Sequence, residues 1–308
     1  MRHIYYLLTS KIIISNLGIE PIIPKRKNQI FINTWHGGGA YKRNQADLKF
    51  FTKAESLYVR YMRDIRKNET DYFISSCEAF TRAASEGFNI EFQRFLPVGL
   101  PRNDILFEYG KTINRHLRES IAIKYKLNPN FTWVLYAPTF RGTFRKQTNI
   151  ENEVCNEKVI NSLKKRFNRD IILITRAHTP HIYLNGGEQN NCIVDLTDYP
   201  DMQELLSVAD VLITDYSSSI WDYALTGRPG FLYTPDLSAY EGSRGFYTPI
   251  ELWPYSYAAN IEDFCEIIEN YDVNKSLEKI EAHYKLLESY EDGTASRKIW
   301  TLLSTFIK

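Results

Sequence analysis

Four short runs of this chain carry residue types that can bind phosphate or move a proton, and each follows an apolar run of β type. The longest spans residues 210–228, Asp-Val-Leu-Ile-Thr-Asp-Tyr-Ser-Ser-Ser-Ile-Trp-Asp-Tyr-Ala-Leu-Thr-Gly-Arg. The apolar stretch Val211 to Thr214 ends at Asp215, the hydroxyls of Ser217, Ser218 and Ser219 follow, and Ile220, Tyr223, Ala224 and Leu225 recur at helical spacing. A strand, a tight turn and a helix start in that order gather hydroxyls and unpartnered backbone N–H groups where the peptide dipoles favour an anion. The pattern predicts a phosphate-bearing ligand, with Asp215 orienting a neighbour or holding a ligand hydroxyl. The plainer alternative is that the serines only cap a helix.

The other runs add a base and cations. Asn33-Thr34-Trp35-His36-Gly37-Gly38-Gly39 places an imidazole, whose pKa suits proton transfer near neutrality, beside glycines that let a ligand approach the backbone. Gly37, Gly38, Lys42 and Arg43 are candidates for an acceptor loop there. Tyr136-Ala137-Pro138-Thr139-Phe140-Arg141 offers the guanidinium of Arg141, a fork of donors matched to phosphate oxygens, or else a surface arginine in a turn. Arg176 and His178 stand two apart at the end of another apolar run, a pairing suited to a leaving diphosphate, while His181 lies further into the loop. Glu241 and Arg244 fall in a glycine-punctuated stretch, 240–247, read as a loop able to close over a ligand.

Size and composition narrow the chemistry. A chain of 308 residues suggests about two domains. No apolar run reaches the roughly 18–20 residues that span a bilayer, and residues 1–15 read as a helix or strand of the fold rather than a signal peptide. Cys77, Cys155, Cys192 and Cys265 are scattered, which suggests neither zinc nor a disulfide framework and points to a reducing cytoplasm. The net charge of +1 conceals an asymmetry: residues 1–150 carry 24 Lys and Arg against 12 Asp and Glu, and the remainder carries 14 against 25. The first half therefore faces something anionic. Its basic, aromatic-rich segment 42–67 can lie on an anionic membrane surface or be an ordinary helix with a solvated face. No nucleic-acid-binding pattern accompanies the charge. Walker, Gly-x-Gly-x-x-Gly and Gly-x-Ser-x-Gly motifs are missing, as is any tight cluster with metal-ligand spacing. A transferase acting on a nucleotide diphosphate without cofactor or metal fits these features better than an ATPase, dehydrogenase or serine hydrolase.

These residues need a scaffold that brings strand ends together. Short β-type runs at 29–33, 72–75, 94–97, 133–137, 171–176, 193–195, 210–214 and 230–233 alternate with helical patterns. The helices are expected at 45–67, 77–86, 103–108, 153–167, 201–208 and 218–226, with one more inside the polar stretch 111–130 and three in the tail at 260–270, 274–288 and 294–306. Alternation of this kind predicts an α/β fold with parallel sheets, in which ligands sit outside the carboxyl ends of the strands. Two Rossmann-like halves, 1–115 and 116–308 with its helical tail, then face each other across a ligand cleft.

In order along the chain stand Tyr5-Tyr6-Leu7-Leu8-Thr9-Ser10-Lys11, Asn33-Thr34-Trp35-His36-Gly37, Phe73-Ile74-Ser75-Ser76, Pro97-Val98-Gly99-Leu100-Pro101-Arg102, Leu135 to Arg141, Arg176-Ala177-His178, Asp210 to Pro229, and Arg244-Gly245-Phe246-Tyr247. Together they resemble the CDP-glycerol glycerophosphotransferase family, enzymes that prime and polymerise teichoic acids and related capsular polymers. The resemblance implies a GT-B fold and transfer of glycerol phosphate from CDP-glycerol to a polyol-phosphate or lipid-linked acceptor, with release of CMP and no catalytic metal. It implies His36 as base, His178 at the donor phosphates, Asp215 to Ser218 in the donor site, and a cytoplasmic protein peripheral at the inner face of the cell membrane. Ribitol phosphate transfer, sugar transfer by a GT-B glycosyltransferase, and non-catalytic nucleotide binding are the alternatives. Two departures mark this chain. Gly38, Gly39 and Ala40 stand where the family continues with Thr-Pro and a lysine pair, so the acceptor loop is expected to differ. Family members also carry an earlier strand and helix, so the first domain is expected to be truncated or small.

Overall fold

Runs that are apolar at every position, rather than at alternate ones, build two parallel sheets, because strands covered on both faces have no solvent side to keep polar. In the computed structural model the described residues are 2–17, 25–43, 61, 64–65, 69–109, 112–139, 142–143, 146–147, 153–176 and 192–307, with the backbone alone at 142–143, 146–147 and 153. The chain forms two compact units: Met1–Asp104, Gly242–Pro249 and Tyr284–Lys308 make the first, and Ile105–Glu241 with Ile250–His283 the second.

The first unit holds β1 (Ile12–Ser15), β2 (Ile30–Asn33), β3 (Tyr72–Ser75) and β4 (Phe95–Pro97), arranged in sequence order and all parallel. The opening residues divide into the helix Arg2–Thr9 and β1. Ile32 and Ile74 of the sheet bury with Leu100 against Ile299 and Leu303 of the last helix, Ala295–Ile307. The Asp104 carboxylate accepts the backbone N–H groups of Ala295 (3.0 Å) and Ser296 (2.8 Å), which places a negative charge on the N-terminus of that helix.

The second unit holds β5 (Thr132–Tyr136), the small antiparallel pair β6 (Gly142–Thr143) and β7 (Lys146–Gln147), β8 (Ile171–Thr175), β9 (Ile193–Asp195), β10 (Val211–Thr214), β11 (Gly230–Tyr233) and β12 (Ser256–Ala258). Its parallel sheet runs β12-β11-β10-β5-β8-β9. Counted from β5, that is the Rossmann order 3-2-1-4-5-6, which reverses between β5 and β10 and leaves a crevice at their carboxyl ends. Every residue of β5, β10 and β11 is buried.

The expected boundary between 115 and 116 differs from the observed division in two ways. Residues 105–115 fold with the second unit, where the Tyr109 carbonyl accepts from the Arg228 guanidinium at 2.6 Å. The tail from Tyr284 joins the first unit, because a helix cannot bury its apolar stripe alone and Ile299 and Leu303 find theirs on that sheet. The stretch 240–247, read as a loop, is helical at its start, Leu237–Ser243. The β12 strand and the β6–β7 pair went unread, being two or three residues long. The helix expected at 45–67 lies almost entirely outside the described residues.

Gly230 opens β11 where the Tyr255 ring crosses the strand, and a Cβ there would lie 2.5–2.7 Å from three ring atoms. Tyr255 is itself buried. Gly230→Ala should therefore destabilise the second unit by about 1–3 kcal/mol, the usual penalty of overpacking, read as a lower urea midpoint at unchanged slope.

Candidate active site

In the first unit the chemistry sits just past the carboxyl ends of the strands. Trp35 takes the left-handed conformation, φ 55°, two residues beyond β2. A bulky residue there costs on the order of 1–3 kcal/mol. The turn is held by the Asn33 side chain, which accepts the Trp35 N–H at 2.8 Å, and by the indole, which packs on Phe88 (ring centroids 4.8 Å) and Phe73 (5.9 Å). The next ring, His36, lies against the indole at 4.1 Å. His36 Nδ1 is 3.1 Å from the Asn16 carbonyl, just past β1. A carbonyl only accepts, so Nδ1 carries the proton and Nε2 keeps its lone pair. His36 remains exposed, yet its pKa lies below the ordinary 6.5. Desolvation by the surrounding protein is the larger cause, the Asn16 bond opposes it, and the cations of Arg102 and Lys42 add to the lowering. At neutral pH His36 is thus an uncharged base with one defined acceptor nitrogen.

Beyond His36 the chain turns at Gly39, whose N–H donates to Ser76 Oγ at 3.1 Å just after β3. Residues 40–43 then pair with the segment Gly242–Pro249. Thr248 Oγ1 donates to the Ala40 carbonyl (2.7 Å), the Tyr247 N–H to the Tyr41 carbonyl (2.8 Å) and the Arg43 N–H to the Gly245 carbonyl (3.2 Å). Lys42 bridges Phe246 in antiparallel fashion, and Arg43 Nε donates to the Phe246 carbonyl at 3.3 Å.

In the second unit the sheet reversal is bound together by Asp215, which is 4% exposed. Its carboxylate accepts the Thr139 N–H (2.9 and 3.1 Å), the Thr139 hydroxyl (2.5 Å) and the Tyr216 N–H (2.5 Å). Those bonds join the loop after β5 to the loop after β10. Ser217 Oγ accepts the N–H (3.3 Å) and the hydroxyl (3.0 Å) of Ser219, while Ser218 stands at the N-cap without a side-chain capping bond. Ser217 and Ser218 are partly exposed and Ser219 is buried. The rest of the 210–228 block is scaffold. Asp222 accepts from Gln203 Nε2 at 3.0 Å, the Tyr223 hydroxyl donates to the Ala209 carbonyl at 3.2 Å, and Arg228 holds the carbonyls of Leu206, Ser207 and Ala209.

The sequence-derived candidates therefore separate. His36, Gly37, Gly38, Lys42 and Arg43 lie together in the first unit, Gly38 buried and Arg43 engaged with the 242–249 segment. Asp215, Ser217, Ser218 and Ser219 lie together at the reversal of the second. Asp215 turns both of its oxygens to Thr139 and one of them also to Tyr216. Arg176 directs Nε and Nη2 to the Tyr199 carbonyl (3.3 and 3.2 Å) and so fastens the loop beyond β9; burial lowers its pKa, opposed by Asp201. Glu241 lies on the helix Leu237–Ser243, exposed, and Arg244 is half-buried in the 242–249 segment. Arg141 and His178 lie outside the described residues. Among the described residues no three His, Cys, Asp or Glu side chains gather as metal ligands would. Sequence reasoning missed Asn16, Arg102 and Thr139. Asn16 acts through its carbonyl and leaves no side-chain signal, whereas Arg102 and Thr139 stood in motifs whose other members drew the attention.

The family model for CDP-glycerol:poly(glycerophosphate) glycerophosphotransferase matches residues 1–305. The chain belongs to this family. It is, accordingly, a polyol-phosphate transferase. It is 28% identical to the teichoic acid ribitol-phosphate primase of Bacillus spizizenii, over 99% of this chain and 77% of that protein. It is 30% identical to the teichoic acid poly(glycerol phosphate) polymerase of the same organism, over 97% and 76%. Among solved structures, the wall teichoic acid polymerase TagF superposes with a TM-score of 0.78 at 28% identity, covering 96% of this transferase and 72% of that chain.

Asp215→Asn in this transferase turns an amide NH2 toward donors that need an acceptor. The variant should lose about 1.5–3 kcal/mol of unfolding free energy in urea, the worth of hydrogen bonds to a charged group.

Proposed function

We propose that the enzyme transfers glycerol phosphate from CDP-glycerol to a hydroxyl at the end of a polyol-phosphate polymer or its lipid-linked primer, releasing CMP. In this reading the two units are the two Rossmann-like domains of a GT-B transferase. The observation that carries the reading is His36, neutral, oriented by Asn16 and offering Nε2 in a chain of this family.

His36 Nε2 takes the proton of the acceptor hydroxyl, and the oxygen attacks the β-phosphorus of the donor. The bond from that phosphorus to the bridging oxygen breaks, CMP leaves with the electron pair, and the imidazolium returns its proton to water. No resident metal enters the proposal. The developing charge on CMP is met by His178 and Arg141 and by the hydroxyls of Ser217 and Ser218 at the sheet reversal, with Asp215 holding their loop and Arg176 the loop beyond β9. Positioning and fixed dipoles supply most of the rate in such phosphoryl transfers. Lys42 and Arg102, whose charges already act on His36, favour an acceptor that is itself anionic.

Among the described residues no helix is long and apolar enough to cross a membrane. Peripheral attachment at the inner membrane face, through the basic stretch 42–67, belongs to the same proposal. The relatives include ribitol-phosphate and glycerol-phosphate enzymes alike, so the polyol is decided by assay.

Incubated with a panel of CDP-glycerol, CDP-ribitol and nucleotide sugars, the enzyme should release CMP from CDP-glycerol fastest; release only from a nucleotide sugar would overturn the reading. His36→Ala should lower kcat on the order of 10²–10⁴-fold while CDP-glycerol still binds in calorimetry, and normal turnover would remove His36 as base. Because the pKa of His36 is lowered, the base is available at pH 7 and is lost only as pH falls through a value below 6.5. The acid limb of kcat/KM should therefore lie below pH 6.5, and Arg102→Gln, which removes a cation, should move it upward.

A further inference from the structure

We infer that Glu291 is a positioning residue for the proton-transfer site, holding the turn after β4 so that the Arg102 cation keeps its place near His36. The inference rests on His36 as the base proposed above and names what fixes the charge around it.

Glu291 lies just ahead of the last helix and belongs, with Arg102 and His36, to the first unit. Its carboxylate closes on the turn through both oxygens. Oε2 accepts the Leu100 N–H at 3.1 Å, and Oε1 accepts Asn103 Nδ2 at 3.0 Å. Leu100 and Asn103 are buried, and the Asn103 N–H donates to the Leu100 carbonyl at 2.9 Å across the short 3-10 turn Pro101–Asn103. The next residue, Asp104, returns the grip by accepting the N–H groups of Ala295 and Ser296. Arg102 is thus bracketed by two carboxylate contacts that run in opposite directions between the same two stretches of chain. Gly99 shows how close these stretches come. It takes φ 81°, and a Cβ there would lie 2.8 Å from Glu291 Oε2 and 3.2 Å from the Tyr290 carbonyl oxygen.

The residue before Glu291 holds a second loop. The Tyr290 N–H donates to the Ser76 carbonyl at 2.9 Å, and Ser76 Oγ in turn accepts the Gly39 N–H at 3.1 Å. Tyr290 and Glu291 together therefore fix the loops after β3 and β4 and, through Ser76, the glycine turn that follows His36.

Against His36 stand the uncharged Trp35 ring, the Asn16 carbonyl, which favours the protonated imidazole, and the cations of Arg102 and Lys42, which disfavour it. A cation on a long side chain keeps a defined mean position only when the backbone beneath it is fixed. Releasing the turn moves positive charge away from His36, which raises its pKa. Were the Glu291 carboxylate acting on His36 directly, its loss would lower the pKa instead. The direction of the change separates the two.

The full chain, labelled with carbon-13 at histidine, is titrated by NMR, the His36 signal being identified by its loss in His36→Ala. Glu291→Ala should raise the His36 midpoint by about 0.5 pH unit, roughly threefold in proton affinity, the size of one partly screened charge. Arg102→Gln should raise it at least as far, and the double variant no further than Arg102→Gln alone. The acid limb of kcat/KM should move upward with the midpoint. A midpoint that Glu291→Ala leaves unchanged or lowers overturns the inference, as does full additivity in the double variant. Should the alanine variant not fold, Glu291→Gln keeps the shape and can still accept from Leu100. It should raise the midpoint by less, and the absence of any rise overturns the inference equally. Normal turnover by His36→Ala would remove the base reading, whereas the titration would still judge the hold of Glu291 on Arg102.

Discussion

A carboxylate nearly sealed from water stands where the six-stranded sheet reverses direction. Burying such a charge is unfavourable unless donors converge on it, and at Asp215 they come from the loops after β5 and β10 together. The pairing leaves those loops a single arrangement, with the Thr139 hydroxyl turned inward and Ser217 and Ser218 left partly open at the crevice. Around it, the downstream helix is locked by Gln203, Ala209 and Arg228. The phosphate site proposed there works by rigidity, since donors already fixed in place need not be reorganised when charge appears.

The first unit solves its own positioning problem by strain. A left-handed tryptophan is unfavourable, and it persists because Asn33 bonds its N–H and Phe73 and Phe88 embrace its ring. What the strain achieves is the placement of His36, one ring against the indole and one nitrogen on the Asn16 carbonyl. The Asn16 carbonyl settles tautomer and orientation, while desolvation by the surrounding protein, with Arg102 and Lys42, outweighs that bond and lowers the pKa.

Much of this was legible in the chain. The strands at 72–75, 193–195 and 230–233 were read to the residue, and the tail helices to within two, because strongly periodic or uniformly apolar runs admit few alternatives. The chemistry-bearing residues were legible for a related reason: glycines, serines and a histidine directly after an apolar run break the pattern of the element before them. Asn16 escaped because a backbone carbonyl has no residue type. The helical start of 240–247 escaped because its glycines read as loop signals; at Gly242 a Cβ would meet nothing within 4 Å, so that glycine answers no steric need.

What the sequence by itself determined is most of the parallel strands, the residues at their ends and the family of enzymes to which they belong. These follow from local preference and from side-chain type, which act over a few residues. Only the tertiary structure decided which of those residues bind the protein to itself. Asp215, Arg43 and Arg176 had the right chemistry for ligand, yet each spends hydrogen bonds on groups 23 to 203 positions away in the chain. It also decided that the last helix belongs with the first strands, because an apolar stripe is buried wherever a complementary face exists, and no local pattern says where that face will be.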